Sequence, residues 1–212
     1  MLQINEIFHS IQGESTHAGR PCVFVRLAGC NLRCTWCDTA YAFHDGTPLS
    51  VDDVVARVTA YGCDLVEVTG GEPLLQSEAV DLMRALLDGG LEVLLETSGS
   101  LPIDHVPVGV KRILDLKCPG SGEVERNLWR NLEVLRAGDE IKFVISSRSD
   151  YEWAADTVRS RGLSARATVL FSPVHDGLSG GELARWVLSD TLPVRVQIQL
   201  HKYLWPGVVR GV

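Results

Sequence analysis

Cys30, Cys34 and Cys37 stand in CNLRCTWCDT with the spacing C-x3-C-x2-C, and Asp38 and Thr39 follow at once. Thiolates grouped this tightly bind metal or carry out redox chemistry. Three states compete for them. Reduced cysteines without a ligand need no such spacing. A zinc site would need a fourth ligand, and His44 could complete a tetrahedral Cys3His set. A four-iron cluster normally takes four thiolates. Three would leave one iron open to an exogenous ligand, the mark of a catalytic rather than a structural site.

A second chemical segment is Thr69-Gly70-Gly71-Glu72-Pro73. Two glycines let backbone approach a ligand closely, and a carboxylate suits an ammonium. By itself the segment is more often an ordinary strand-to-helix turn. Lone cysteines at 22, 63 and 118 match no ligand spacing. Cys22, inside an apolar run, reads as a small hydrophobe.

Short apolar runs alternate with helical patterns around these segments. Strands are expected at 22–28, 65–69, 91–96, 113–117, 140–145, 167–171 and 194–200. Helices are expected at 50–61, 77–87, 149–161 and 181–188. Ser50 and Asp53 form a capping signal for the first helix. Strands alternating with helices imply a parallel sheet wrapped by helices. A complete eight-unit barrel takes about 250 residues, so 212 residues with six to seven strands fit an α/β partial, open parallel barrel or an open doubly wound sheet in a single domain.

Side chains two apart share a strand face. Glu67 then aligns with Thr69, Glu92 with Glu96, and Asp115 with Lys117, while Arg26 opposes Val25 and Leu27. The last run puts Arg195, Gln197, Gln199 and His201 on one face. Strands buried on both faces should be almost wholly apolar, so these polar faces line a cavity or pair in structural ion networks.

A net charge of -7 argues against broad binding to nucleic acid or anionic membrane. The opening MLQINEIFHSIQGE has neither the basic nor the apolar region of a secretory signal, and no apolar run spans a bilayer. A cytoplasmic protein with reduced thiols is expected.

Cys30, Cys34, Trp36 and Cys37 together resemble the signature of the radical S-adenosylmethionine (SAM) superfamily. IQGEST, VRLAGCNLRCTWCDT, VTGGEP, LETSGS, DLKCPGSG and QLHKYLW occur in this order between residues 11 and 205. They look like the 7-carboxy-7-deazaguanine synthase family, which serves queuosine and related 7-deazapurine biosynthesis. The resemblance implies a [4Fe-4S] cluster on Cys30, Cys34 and Cys37, with SAM on the open iron. It implies 6-carboxy-5,6,7,8-tetrahydropterin as substrate. A 5′-deoxyadenosyl radical takes hydrogen from C6, ammonia is lost and SAM is recovered.

The resemblance also distributes roles. Mg2+ belongs at Thr39, whose hydroxyl is a hard oxygen. SAM is bordered by Trp36, Cys37, Asp38 and Gly71, by Thr97 and Ser98, and by Pro119, Gly120 and Ser121. Ile11, Gln12, Gly13 and Glu14 hold the pterin. Arg26 suits the substrate carboxylate bidentately, and Thr69, Glu96 and His201 are further substrate contacts. A homodimer and a flavodoxin-type reductant are implied as well. Two departures stand out: Ser15 replaces a frequent glycine, and Pro206 to Val212 extend beyond the usual end, so the resemblance does not settle whether the chain terminus takes part in substrate binding. The rival readings are a glycyl-radical enzyme activase, which needs an open protein-docking face, and a zinc-binding module.

Overall fold

The computed structural model describes residues 1–212. One sheet of nine strands runs in the order β3-β1-β2-β4-β5-β6-β7-β8-β9. From β2 onward every neighbouring pair is parallel, which makes seven parallel strands: β2 (Pro21–Leu27), β4 (Leu65–Gly70), β5 (Glu92–Thr97), β6 (Lys111–Leu116), β7 (Glu140–Ile145), β8 (Thr168–Pro173) and β9 (Arg195–Val196). Two antiparallel strands extend the first edge, β1 (Leu2–Ile11) on β2 and β3 (Thr47–Leu49) on β1. The two edges do not pair, so the barrel is open, as the strand–helix alternation predicts.

The helices follow their local signals. In α1 (Val51–Thr59) the Ser50 hydroxyl accepts from Asp53 N at 3.1 Å and the Asp53 carboxylate accepts in return, a complete capping box. Helix α2 spans Glu78–Asp88, α3 Arg148–Arg161 and α4 Gly180–Ser189. Gly162 ends α3 in the left-handed region at φ 60°, which costs glycine nothing. These helices cover one sheet face and form a core of 36 buried residues, to which β2 contributes Val23, Val25 and Leu27 and β4 contributes Val66 and Val68.

The alternate residues of the same strands face the other way. At the strand starts they form a small apolar floor of Phe8, Cys22, Phe24, Leu65, Leu94 and Ile113. Two residues further along each strand come Arg26, Glu67, Glu96 and Asp115, all facing one cavity. A period of two thus carries each strand from an apolar floor to a charged chamber.

Two expectations need correction. β1 and β3 were not foreseen. Their pairing is antiparallel and their burial irregular, so neither shows the apolar run of an inner strand. The strand expected over 194–200 is cut to two residues. After Gln197 N bonds Phe171 O at 2.9 Å the chain leaves the sheet, Leu200 N bonds Gly13 O at 2.9 Å, and α5 (Leu200–Leu204) forms. Gln199 and His201 reach the cavity from this turn and helix, not from a strand face.

Candidate active site

The cysteine loop leaves β2 through Gly29 at φ +95°, a backbone that favours glycine. Its neighbours fix it. Gly29 N donates to Ala42 O at 2.8 Å, Gly29 O accepts from Glu72 N at 2.9 Å, and Thr35 N donates to Ser121 O at 3.0 Å. Asn31 reaches Ser100 Oγ at 3.0 Å, and Arg33 N reaches Glu123 at 2.6 Å. Cys30, Cys34, Trp36, Cys37, Asp38 and Thr39 all line a cavity of about 460 Å³. Burial pushes the Cys30 and Cys34 thiols up; the Leu32 amide opposes this at Cys30 and the Lys117 charge opposes it at Cys34.

The donor set fits a cluster better than one ion. No three His, Cys, Asp or Glu side chains converge tightly enough to hold a single metal ion, yet the three thiols open on one cavity. Ligands spread in this way suit separate corners of a cubane. His44 does not line the cavity; its backbone carbonyl accepts from Asn5. A Cys3His zinc set is therefore not assembled.

Beside the loop, a Cβ on Gly71 would collide with the Gly29 carbonyl and come within 2.6 Å of Cys30 Cβ. Gly71 is what lets β4's end lie against the cysteines. Glu72 corrects an expectation. Its carboxylate is fully buried and does not line the cavity. It accepts from Thr97 Oγ1 at 2.9 Å, from Ser98 N at 2.8 Å, from Ser98 Oγ and from Leu74 N at 3.0 Å. It ties the ends of β4 and β5 together instead of meeting an ammonium. Thr97 and Ser98 do line the cavity, with their hydroxyl protons turned to Glu72. Pro119, Gly120 and Ser121 are not in the lining. They hold the cysteine loop from behind, through the Ser121 carbonyl, while Gly120 N is anchored on Asp150 at 2.8 Å.

The loop between β1 and β2 crosses the open end of the sheet. Thr16 bonds the Glu140 carboxylate, Arg20 bonds Glu92 at 2.7 Å, and Gln199 bonds Glu14 at 2.9 Å. Ser15 holds φ +63° and its hydroxyl accepts from His17 N at 3.0 Å. A Cβ on Gly13 would overlap the His201 ring. The crossing brings Ile11, Gln12, Gly13 and Glu14 into the cavity with Arg26, Thr69, Glu96 and His201, so all eight expected substrate residues meet. The Gln12 amide is already used: Nε2 donates to Glu67, and Oε1 accepts from Glu14 N at 2.8 Å. Arg26 Nε bonds Glu6 at 2.8 Å, and Tyr41 shares that carboxylate at 2.8 Å. No protein partner takes the two terminal nitrogens of Arg26.

Sequence reasoning missed Lys142 and Lys202 as site residues, and it placed Glu67 on the polar face without a role. Lys142, buried on β7, bonds Glu14 at 2.8 Å and Glu96, and lies 3.5 Å from Asp115. Burial opposes its charge, but the three carboxylates outweigh burial and hold it well above the usual lysine range. In turn, burial would raise Glu14, but Lys142 brings it below the ordinary carboxylate value. Asp115 also pairs with Lys117 at 3.0 Å. Asp38 sits between Lys202 at 2.7 Å and Gln199 at 3.1 Å, which outweigh burial and hold it at about 2. The available signal was a lysine inside the apolar strand EIKFVI, where only a partnered charge survives burial.

Comparison with known proteins agrees with this geometry. A model described as the radical SAM superfamily matches residues 25–116. A 7-carboxy-7-deazaguanine synthase of Chlorobaculum tepidum is 48% identical over 100% of this chain and 97% of that protein. One from Koribacter versatilis is 46% identical over 100% of both. The crystal structure of QueE from Escherichia coli superposes with a TM-score of 0.75 at 23% identity, covering 94% of each chain. Neither a zinc-binding module nor a glycyl-radical activase survives near-complete relatives of one kind. The cysteine loop, the open barrel and the full-length likeness lead to one conclusion: the chain is a radical SAM enzyme and belongs to the 7-carboxy-7-deazaguanine synthase family.

Proposed function

We propose that the chain converts 6-carboxy-5,6,7,8-tetrahydropterin to 7-carboxy-7-deazaguanine with loss of ammonia, and that the chamber described above binds that substrate. The observation that carries this reading is the meeting of three cysteines and a charged, polar chamber in one cavity of about 460 Å³. A cavity of this size takes small molecules. Cys30, Cys34 and Cys37 would hold a [4Fe-4S] cluster. With SAM bound there, the group would supply the radical chemistry that removes hydrogen from substrate C6.

The chain's own residues do the rest. Trp36, Asp38 and Gly71 border SAM. Thr97 and Ser98 offer hydroxyl lone pairs to it, since their protons go to Glu72. Pro119 to Ser121 set the loop's position from outside. Arg26 presents its two terminal nitrogens to the substrate carboxylate, a bidentate geometry. Glu14 and Glu96, both bonded to Lys142, receive N–H groups of the pterin, and His201 closes the far side against Gly13. Thr69 adds a hydroxyl. Thr39, in the lining beside Cys37, would offer Mg2+ a hard oxygen.

The enzyme works as a homodimer in the cytoplasm with a flavodoxin-type reductant. The decisive experiment is anaerobic reconstitution with iron and sulfide, then addition of the pterin, SAM, Mg2+ and a reductant. Mass spectrometry should find the deazapurine carboxylate with SAM undiminished. SAM cleavage without that product would overturn the substrate assignment and leave the radical SAM assignment standing.

A further inference from the structure

The cavity's buried carboxyls differ in one respect. Glu14 and Glu96 pair with Lys142, Asp115 pairs with Lys117, and the partly exposed Asp38 pairs with Lys202. Glu67 has no cationic partner, although it is 3% exposed. One of its oxygens accepts from Gln12 Nε2; no protein group bonds the other. Along the sheet its register neighbours are Phe24 on β2 and Leu94 on β5, both part of the apolar floor. Burial and the nearby charges of Glu96 and Glu14 outweigh Lys142 and Arg26 and push its carboxyl well above the ordinary range. Where neighbouring acids are driven apart in this way, the protonated one is placed to act as acid.

We propose that Glu67 is the proton donor for ammonia release. This deepens the reading of the reaction given above and rests on it. Loss of ammonia breaks a C–N bond, whose electron pair stays with nitrogen; the Glu67 carboxyl supplies the proton. Electrons of the adjacent C–H bond form the new ring double bond. The Glu67 carboxylate takes the proton set free there and is an acid again. The sum is loss of NH3, and no oxidant or reductant is consumed. Gln12 holds the carboxyl in place from one side, leaving the other oxygen to the cavity.

The test is Glu67→Gln in the reconstituted holoenzyme, with substrate carrying deuterium at C6. The amide keeps the shape and cannot give a proton. Product formation should fall by about 100-fold or more, the usual worth of a positioned acid. Deuterium should still pass into SAM, and a species heavier than the product by one ammonia should accumulate. Glu67→Asp, which keeps a carboxyl, should recover part of the rate. Circular dichroism and SAM binding verify that both variants fold. Near wild-type turnover by Glu67→Gln overturns the proposal. So does joint loss of product and deuterium transfer in a folded variant, because Glu67 would then only position the substrate. Absence of the deazapurine with the wild-type enzyme would instead overturn the reaction assignment, and the proposal with it.

Discussion

The Lys142 ammonium on β7 lies 2.8 Å from a Glu14 carboxylate oxygen across 128 residues of chain. The same ammonium meets Glu96 on β5 and Asp115 on β6. One buried cation thus ties the N-terminal loop to three strands of the sheet. Lys142→Met should destabilise the protein by roughly 3–5 kcal/mol, because it leaves buried carboxylates uncompensated. Urea unfolding would measure this, and a loss below about 1 kcal/mol would contradict the role given to Lys142.

Glu92 begins β5, bonded to Arg20 at 2.7 Å and Lys111 at 2.5 Å. These two bonds hold its carboxyl at about 2 against an ordinary 4.5. A depressed folded value stabilises the protein above the unfolded value and loses that stability as pH falls through the folded one. Glu92→Gln should therefore cost roughly 1–2 kcal/mol at pH 7, after allowing for solvent screening. The gap from wild type should narrow from about pH 4.5 downward and close near pH 2. A gap that widens on acidification would reverse the sign argued here.

Gly71 meets the Gly29 backbone and Cys30 where any Cβ would sit. Gly71→Ala must move the cysteine loop, at a cost of about 1–3 kcal/mol. Weakened SAM binding should accompany it, read by calorimetry on the reconstituted protein. Unchanged SAM affinity would show that the loop yields freely.

Cys34→Ala should remove the cluster, so iron and sulfide per chain after reconstitution should drop sharply. SAM cleavage and pterin turnover should disappear together. Retained turnover would remove Cys34 from the ligand set.

Much of this was legible in the sequence because it is local. The cysteine spacing, the capping box at Ser50 and Asp53, and the period-two pattern of β4 to β7 depend only on neighbours along the chain. From these come the open parallel sheet, the cysteine loop at a strand end and the polar inner face. Tertiary structure decided what depends on partners distant in sequence. It turned Glu72 from a ligand candidate into a brace between β4 and β5, and set Pro119 to Ser121 behind the loop. It lifted His201 off a strand onto a short helix, and gave Lys142 its three carboxylates while leaving Glu67 with none. A charge in a strand announces only that it must be compensated; which group compensates it is fixed when the sheet brings the strands together.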